Sequence, residues 1–76
     1  MLGKYMQYYA VSSSSLSEIG YDESSNTLAV RFQNGSEYHY FGVPESEFQA
    51  LRYAGSVGTY LNASIKTAGY PYAKIS

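Results

Sequence analysis

Thr27-Leu28-Ala29-Val30-Arg31-Phe32-Gln33-Asn34-Gly35-Ser36-Glu37-Tyr38-His39-Tyr40-Phe41 is the stretch that decides the fold. Leu28, Val30 and Phe32 alternate with smaller or polar residues, the period of a half-buried strand. Asn34-Gly35 turns the chain back. Residues from about Ser36 to Phe41 return as a second strand. Two registers compete. A two-residue loop sets Val30 opposite His39 and Arg31 opposite Tyr38, so the tyrosines leave the face that carries Leu28, Val30 and Phe32. A three-residue loop, Gln33-Asn34-Gly35 with Gly35 left-handed, sets Val30 opposite Tyr38 and Arg31 opposite Glu37. One residue of slip moves every side chain to the other face. The three-residue loop is preferred, because it gathers five apolar side chains on one face and pairs opposite charges on the other.

Outward from the hairpin, Leu16 to Asp22 reads as a core strand with Ile19 and Tyr21 on one face, and Gly20 marks a bulge or a close backbone approach. Ser12 to Ser15 reads as a loop, and Asp22-Glu23-Ser24-Ser25-Asn26 as a turn. Residues 1–11 stay open, although the aromatic residues of Met6 to Val11 favour a strand. Pro44 suits the first position of a helix, with Glu45 and Glu47 in the turn where the helix dipole favours anions. Phe48, Leu51 and Ala54 form its inner stripe, and Gly55 ends it. Ser56 caps a second helix whose Val57, Tyr60, Leu61 and Ile65 share a face. Gly69 and Pro71 stop it, and Tyr70 to Ile75 has room for a short extended segment. The expected fold is α+β: a three- or four-stranded antiparallel meander, then two short helices packed on one face.

The 76 residues make one domain and carry no cysteine, so neither a disulfide nor a thiolate metal site is available. A chain this short is marginally stable alone, and self-association is a way to bury more apolar surface. Aromatic residues at 17% against 14% charged residues, with ten tyrosines, fit a homo-oligomer. The net charge is −1, and Lys4, Arg31, Arg52, Lys66 and Lys74 are scattered. That footprint does not suit duplex DNA, which needs several phosphates neutralised. It leaves room for a nucleotide or a short RNA. No stretch has the length of a signal or membrane segment, and a cytoplasmic location is expected.

Val11-Ser12-Ser13, Leu16, Ile19-Gly20-Tyr21-Asp22, Leu28-Ala29-Val30-Arg31-Phe32, Asn34-Gly35, Tyr38-His39-Tyr40, Val43-Pro44, Ala54-Gly55-Ser56-Val57-Gly58, Tyr60-Leu61-Asn62 and Ile65-Lys66 follow the order of a known family. The chain resembles the KTSC domain, a small domain named for its place at the C-terminus of some lysyl-tRNA synthetases and also found alone in bacterial and phage proteins. The resemblance spans roughly Val11 to Tyr70, with residues 1–10 as an extension. It implies a link to RNA. Tyr5, Tyr8 and Tyr9, and the lack of a basic patch, set this chain apart from the family pattern.

The chemistry points to binding rather than catalysis. His39 is the sole histidine, with no cysteine, second histidine or Asp-x-Asp cluster to join it. Neither a catalytic role nor a metal site is expected, and no cofactor is implied. Ser12 to Ser15 offers hydroxyls without a base nearby in sequence. Gly55-Ser56-Val57-Gly58-Thr59 is a candidate phosphate site. Backbone N–H groups gather there at Ser56, Gly58 and Thr59, and the glycines permit close approach. The bland alternative is a tight helical corner with a serine cap. Tyr60, Tyr38 and Tyr40 are candidates for stacking on a base. Arg31, Arg52 and Lys66 are candidates for adding charge. The expected function is a small non-enzymatic module for a nucleotide or single-stranded nucleic acid, with a phage-type protein that sequesters a nucleotide as one form of it. The competing reading is a protein-interaction or homo-oligomeric structural module without such a ligand.

Overall fold

Gly35 adopts φ +94°, in the region that favours glycine. Phe32 N donates to Ser36 O at 2.8 Å and Gly35 N donates to Phe32 O at 3.0 Å, so Gln33, Asn34 and Gly35 form a three-residue loop. Val30 consequently stands opposite Tyr38, and Arg31 opposite Glu37. The preferred register is the one adopted.

The computed structural model describes residues 6–76. Lys4 and Tyr5, from the tyrosine-rich start, lie outside them. Five antiparallel strands follow one another across a single sheet. They are β1 (Gln7–Ala10), β2 (Leu16–Asp22), β3 (Thr27–Phe32), β4 (Glu37–Phe41) and β5 (Tyr72–Lys74). The expectation of three or four strands is corrected to five, because both aromatic ends join the sheet. Tyr9 pairs with Ile19 and packs its ring 6.3 Å from Phe48. Tyr72 pairs with Tyr40. The irregularity in β2 lies between Leu16 and Glu18, not at Gly20. Gly20 is instead a close approach, since a Cβ there would meet Gln7 O at 3.0 Å and the Tyr8 ring at 3.1 Å.

Helix α1 (Glu45–Arg52) departs from its expected ends. Pro44 is its N-cap rather than its first residue, as ψ 153° keeps it extended, and its carbonyl accepts from Glu47 N and Phe48 N. The helix closes at Tyr53, where Tyr53 N reaches Gln49 O and Ala54 N reaches Leu51 O. Gly55 therefore lies in the connector. The second helical run is α2 (Val57–Tyr60), a π-helical stretch (Leu61–Ile65) and α3 (Lys66–Ala68). The π stretch has a reason in the core pattern. Residues four apart drift by about 40° per step around an α-helix. The wider turn takes that drift back, so Val57, Leu61 and Ile65 all stay buried. The Thr67 hydroxyl donates to Asn62 O at 2.9 Å, partnering a carbonyl in the widened turn. Gly69, at φ +81°, ends the run as expected.

Leu16, Ile19, Leu28, Val30 and Tyr40 from the sheet meet Phe48, Leu51, Val57, Leu61 and Ile65 from the helices. Glu47 fastens the helices together, accepting from the Tyr60 hydroxyl at 2.7 Å and the Ser64 hydroxyl at 2.9 Å. The dipole account of Glu47 alone is thus too small. Tyr21 stacks on Phe48 at 5.0 Å and donates its hydroxyl to Val43 O.

Tyr40 is 5% exposed and Tyr38 only half-buried. Tyr40→Ala should therefore destabilise the domain by about 3–5 kcal/mol, as for a large aromatic lost from a core. Tyr38→Ala should cost clearly less. Urea titrations of both variants check the order, and an equal or reversed loss would contradict this division of the hairpin.

Candidate functional site

The helices cover the centre of the sheet and leave its β4–β5 side partly open. Because Tyr38, Tyr40 and Tyr72 share the helix-side face, their rings line that opening. Tyr72 lies 6.1 Å from Tyr38 and 5.7 Å from Tyr40, and Phe32 meets Tyr38 edge-on at 5.8 Å. The end of the second helical run supplies Lys66, Gly69 and Tyr70, and the hairpin turn supplies Asn34 and Ser36. Together these residues bound a cleft of about 610 Å³. Lys66 Nζ stands 5.8 Å from the centre of the Phe32 ring. Among the described residues Lys66 makes no ion pair, and no carboxylate lines the cleft. Asn34 Oδ1 accepts from Ser36 N at 2.9 Å, which leaves the amide NH₂ as a donor. Burial, then the neighbouring Tyr38 and Tyr72, pushes the Tyr40 phenol up. The cleft thus offers aromatic faces, hydrogen-bond donors and one cation.

The opposite face carries a closed polar network. Arg31 Nη1 bonds Glu18 Oε1 at 2.7 Å and Arg31 Nε bonds Glu37 Oε1 at 3.0 Å. Its guanidinium lies 3.6 Å from the Tyr8 ring centre. The Tyr8 hydroxyl donates to Glu37 Oε2, and His39 Nε2 stands 2.9 Å from the same oxygen. Burial opposes the Glu37 charge, but the bonds from Tyr8, His39 and Arg31 outweigh it and hold the carboxyl at about 2, against an ordinary 4.5. Burial, then the bond to Glu37, pushes the Tyr8 phenol up to about 12. Every member of this group is occupied by another, which suits fastening strands rather than receiving a ligand.

The proposed phosphate corner caps itself. Ser56 Oγ accepts from Thr59 N at 3.3 Å and donates to Thr59 Oγ1 at 2.9 Å. A Cβ at Gly58 would meet Ser15 Oγ at 3.3 Å, so this glycine lets the corner pack against the serine loop. Arg52 lies 3.8 Å over the Tyr9 ring and 5.1 Å from the Tyr53 ring, in a shallow groove with Gly55 and Val57. The Tyr60 hydroxyl is held by Glu47. Of the candidates read from the sequence, the structure brings Tyr38, Tyr40 and Lys66 together. Arg31 stands on the other face, and Ser56, Gly58, Thr59, Tyr60 and Arg52 stand outside this cleft. Phe32, Asn34, Ser36, Tyr70 and Tyr72 were not read as site residues. Tyr72 and Lys74 stand two apart and so share a face of β5, and the pairing of Tyr72 with Tyr40 makes it the tyrosine face. Among the described residues no cluster has the makings of a metal centre, and no helix is long and apolar enough to cross a membrane.

The profile of the KTSC domain matches residues 12–70. An uncharacterized protein of Stutzerimonas stutzeri (strain A1501) is 40% identical over 70 residues, covering 92% of this chain and 99% of its own. A lysine–tRNA ligase of Nostoc punctiforme is 38% identical over 51 residues, covering 67% of this chain and 9% of the ligase. The crystal structure of a KTSC domain protein from Yersinia pestis superposes with a TM-score of 0.86 at 37% identity, covering 95% of this chain and 100% of that one. With fold, motif order and these similarities in agreement, the chain belongs to the KTSC domain family.

The Glu37 network fixes a pH window. Glu37 takes up its proton near 4.5 when unfolded and near 2 when folded, so its stabilisation is complete above about 4.5 and fades as pH falls towards 2. Tyr8 acts at the other end, its contribution being complete below 10.0 and fading as pH rises towards about 12. Unfolding free energies measured across pH 2–12 should show both limbs. Glu37→Gln should flatten the acid limb, and an unchanged acid limb in that variant would refute the assignment.

Proposed function

We propose that this domain is a small non-enzymatic binding module that holds a nucleotide, or a base of a single strand, in the cleft between β4–β5 and the end of the second helical run. The observation that carries this reading is the pairing of the accessible Tyr38 and Tyr72 rings with a lysine that has no acidic partner among the described residues. An aromatic face accepts any base by stacking. An unneutralised ammonium at the rim supplies the complement to a phosphate. Hydrogen-bond donors from Asn34 and Ser36 suit carbonyl or phosphate oxygens. One cation suits a small phosphorylated ligand better than a long strand, in keeping with the net charge of −1. The Nostoc relative is named for a tRNA substrate, which is consistent with a nucleic-acid setting for the domain. The non-catalytic part of the reading rests on the cleft lining. Tyrosines and Lys66 are its titratable groups, and His39 lies on the other face with its ring nitrogen against Glu37.

Calorimetric titration with nucleotides, cyclic nucleotides and short RNA oligomers is the direct test. Stacking on an aromatic side chain is worth about 1–3 kcal/mol per base, so Tyr72→Ala should weaken binding by roughly 5- to 150-fold. Lys66→Gln should lower the salt dependence of the affinity. No binding at millimolar concentration by the folded protein would overturn the reading. Binding that Gly58→Val abolishes and Tyr72→Ala leaves untouched would move the site to the Ser56 corner.

A further inference from the structure

We propose that two copies of this chain pair through β5 across a two-fold axis at Ala73, and that each cleft is completed by a lysine from the other copy. Phe41 N donates to Pro71 O and Ile75 N to Glu37 O, while His39 pairs with Ala73. In an antiparallel ladder, alternate residues turn their N–H and C=O groups towards the neighbouring strand. Residues 71, 73 and 75 therefore face β4. Tyr72 and Lys74 present their N–H and C=O groups to the outside, as an open edge of the sheet.

Open edges of this kind invite a further strand. Tyr72 is 64% exposed and Ile75 52% exposed, so apolar surface accompanies the free backbone groups. Three self-pairings satisfy the hydrogen bonds of such an edge, and chemistry separates them. Centring on Lys74 sets two ammonium groups directly opposite, which is unfavourable. Centring on Tyr72 leaves each Lys74 opposite a residue beyond Pro71, outside the strand. Centring on Ala73 sets Tyr72 opposite the partner's Lys74, and Lys74 opposite the partner's Tyr72. Both residues then exchange their full pair of backbone bonds, and each ammonium lies beside a tyrosine ring. This pairing closes on itself, so it gives a dimer and not an open chain.

The same pairing bears on the cleft. Tyr72 and Lys74 project on the helix side, since Tyr72 touches Tyr38 and Tyr40 there. Paired residues share a face. The partner's Lys74 thus arrives beside Tyr72 at the rim of the cleft, joining Lys66 and the chain's own Lys74, which stands opposite Tyr38 on the same face. That last point rests on the binding role given to the cleft. The dimer itself does not.

Two cysteine and proline experiments on the full chain test it without any ligand. At the axis, Ala73 and its copy form a non-hydrogen-bonded pair, whose Cα separation of about 4.5 Å falls within disulfide reach. The chain has no cysteine of its own. Ala73→Cys should cross-link to a dimer under mild oxidation, and Ser24→Cys, on a distant turn, should not. Equal rates for the two would overturn the axis. Lys74→Pro removes an outward N–H that β4 does not use. Sedimentation should show its dimer dissociation constant raised by about tenfold or more, whereas Lys74→Ala, which keeps that N–H, should remain dimeric. A wild-type monomer at high micromolar concentration, or a folded Lys74→Pro variant that dimerises as well as wild type, would refute the pairing. If a nucleotide binds, Lys74→Ala should weaken it several-fold in the dimer and leave the affinity of the dissociated chain, read at protein concentrations below the dimer constant, unchanged. An equal loss in the dissociated chain would assign the effect to the chain's own Lys74 and overturn the shared cleft. Unchanged nucleotide affinity would remove Lys74 from the cleft.

Discussion

A left-handed glycine at position 35 sets the pairing of β3 with β4, and nearly everything else in the molecule depends on that pairing. With three residues in the turn, Tyr38 and Tyr40 join Leu28 and Val30 under and beside the helices. Arg31, Glu37 and His39 are sent to the other face. A shift of one residue would turn the Glu37 carboxylate and the His39 imidazole into the apolar layer and expose two tyrosines. The cost of burying that carboxylate away from Arg31 makes the slipped hairpin untenable in so small a core. The turn therefore decides at once where the core is, where the aromatic cleft opens and where the ionic network forms.

Much of this was legible because the period of the chain changes cleanly. Leu28, Val30 and Phe32 mark a strand, and Val57, Leu61 and Ile65 mark a helix, without help from tertiary context. The ends of the elements were harder. Pro44 satisfies the φ of a first helical residue and of an N-cap alike, and only its ψ of 153° distinguishes them. Gly55 looked like a helix stop, but α1 had already closed through the bonds of Tyr53 and Ala54. The π stretch has no local signature. It follows from three apolar residues at strict four-residue spacing that must all reach one core. The strands β1 and β5 are four and three residues long, too short to declare a period, and they gain their regularity from the neighbours they pair with.

The site was legible only in pieces. Tyr38, Tyr40 and Lys66 were visible as candidates, yet Tyr40 and Lys66 lie 26 positions apart in the chain, and no spacing rule joins them. Gly69 turns the chain through Tyr70 and Pro71 so that Tyr72 comes back beside Tyr40. The corner at Ser56 shows the converse. Its residue types suit an anion, but Ser56 Oγ already caps Thr59 N, and the serine loop packs against Gly58. A list of suitable groups says little until their existing partners are known.

Glu37 has a consequence for how the molecule opens. Tyr8, Glu18, Arg31 and Glu37 belong to β1, β2, β3 and β4 in turn, and they are bonded into one chain of side chains. Four strands are thereby latched together from the face away from the helices. β5 takes no part in that latch and is held by its backbone bonds to β4 and by the Tyr72 ring. Local fluctuations therefore divide unevenly. In a single copy, the amide hydrogens that join β5 to β4 should exchange before those that join β1 to β2. The wall of the aromatic cleft is then the most easily loosened part of the sheet, and whatever settles against it tightens the one strand that the latch leaves out.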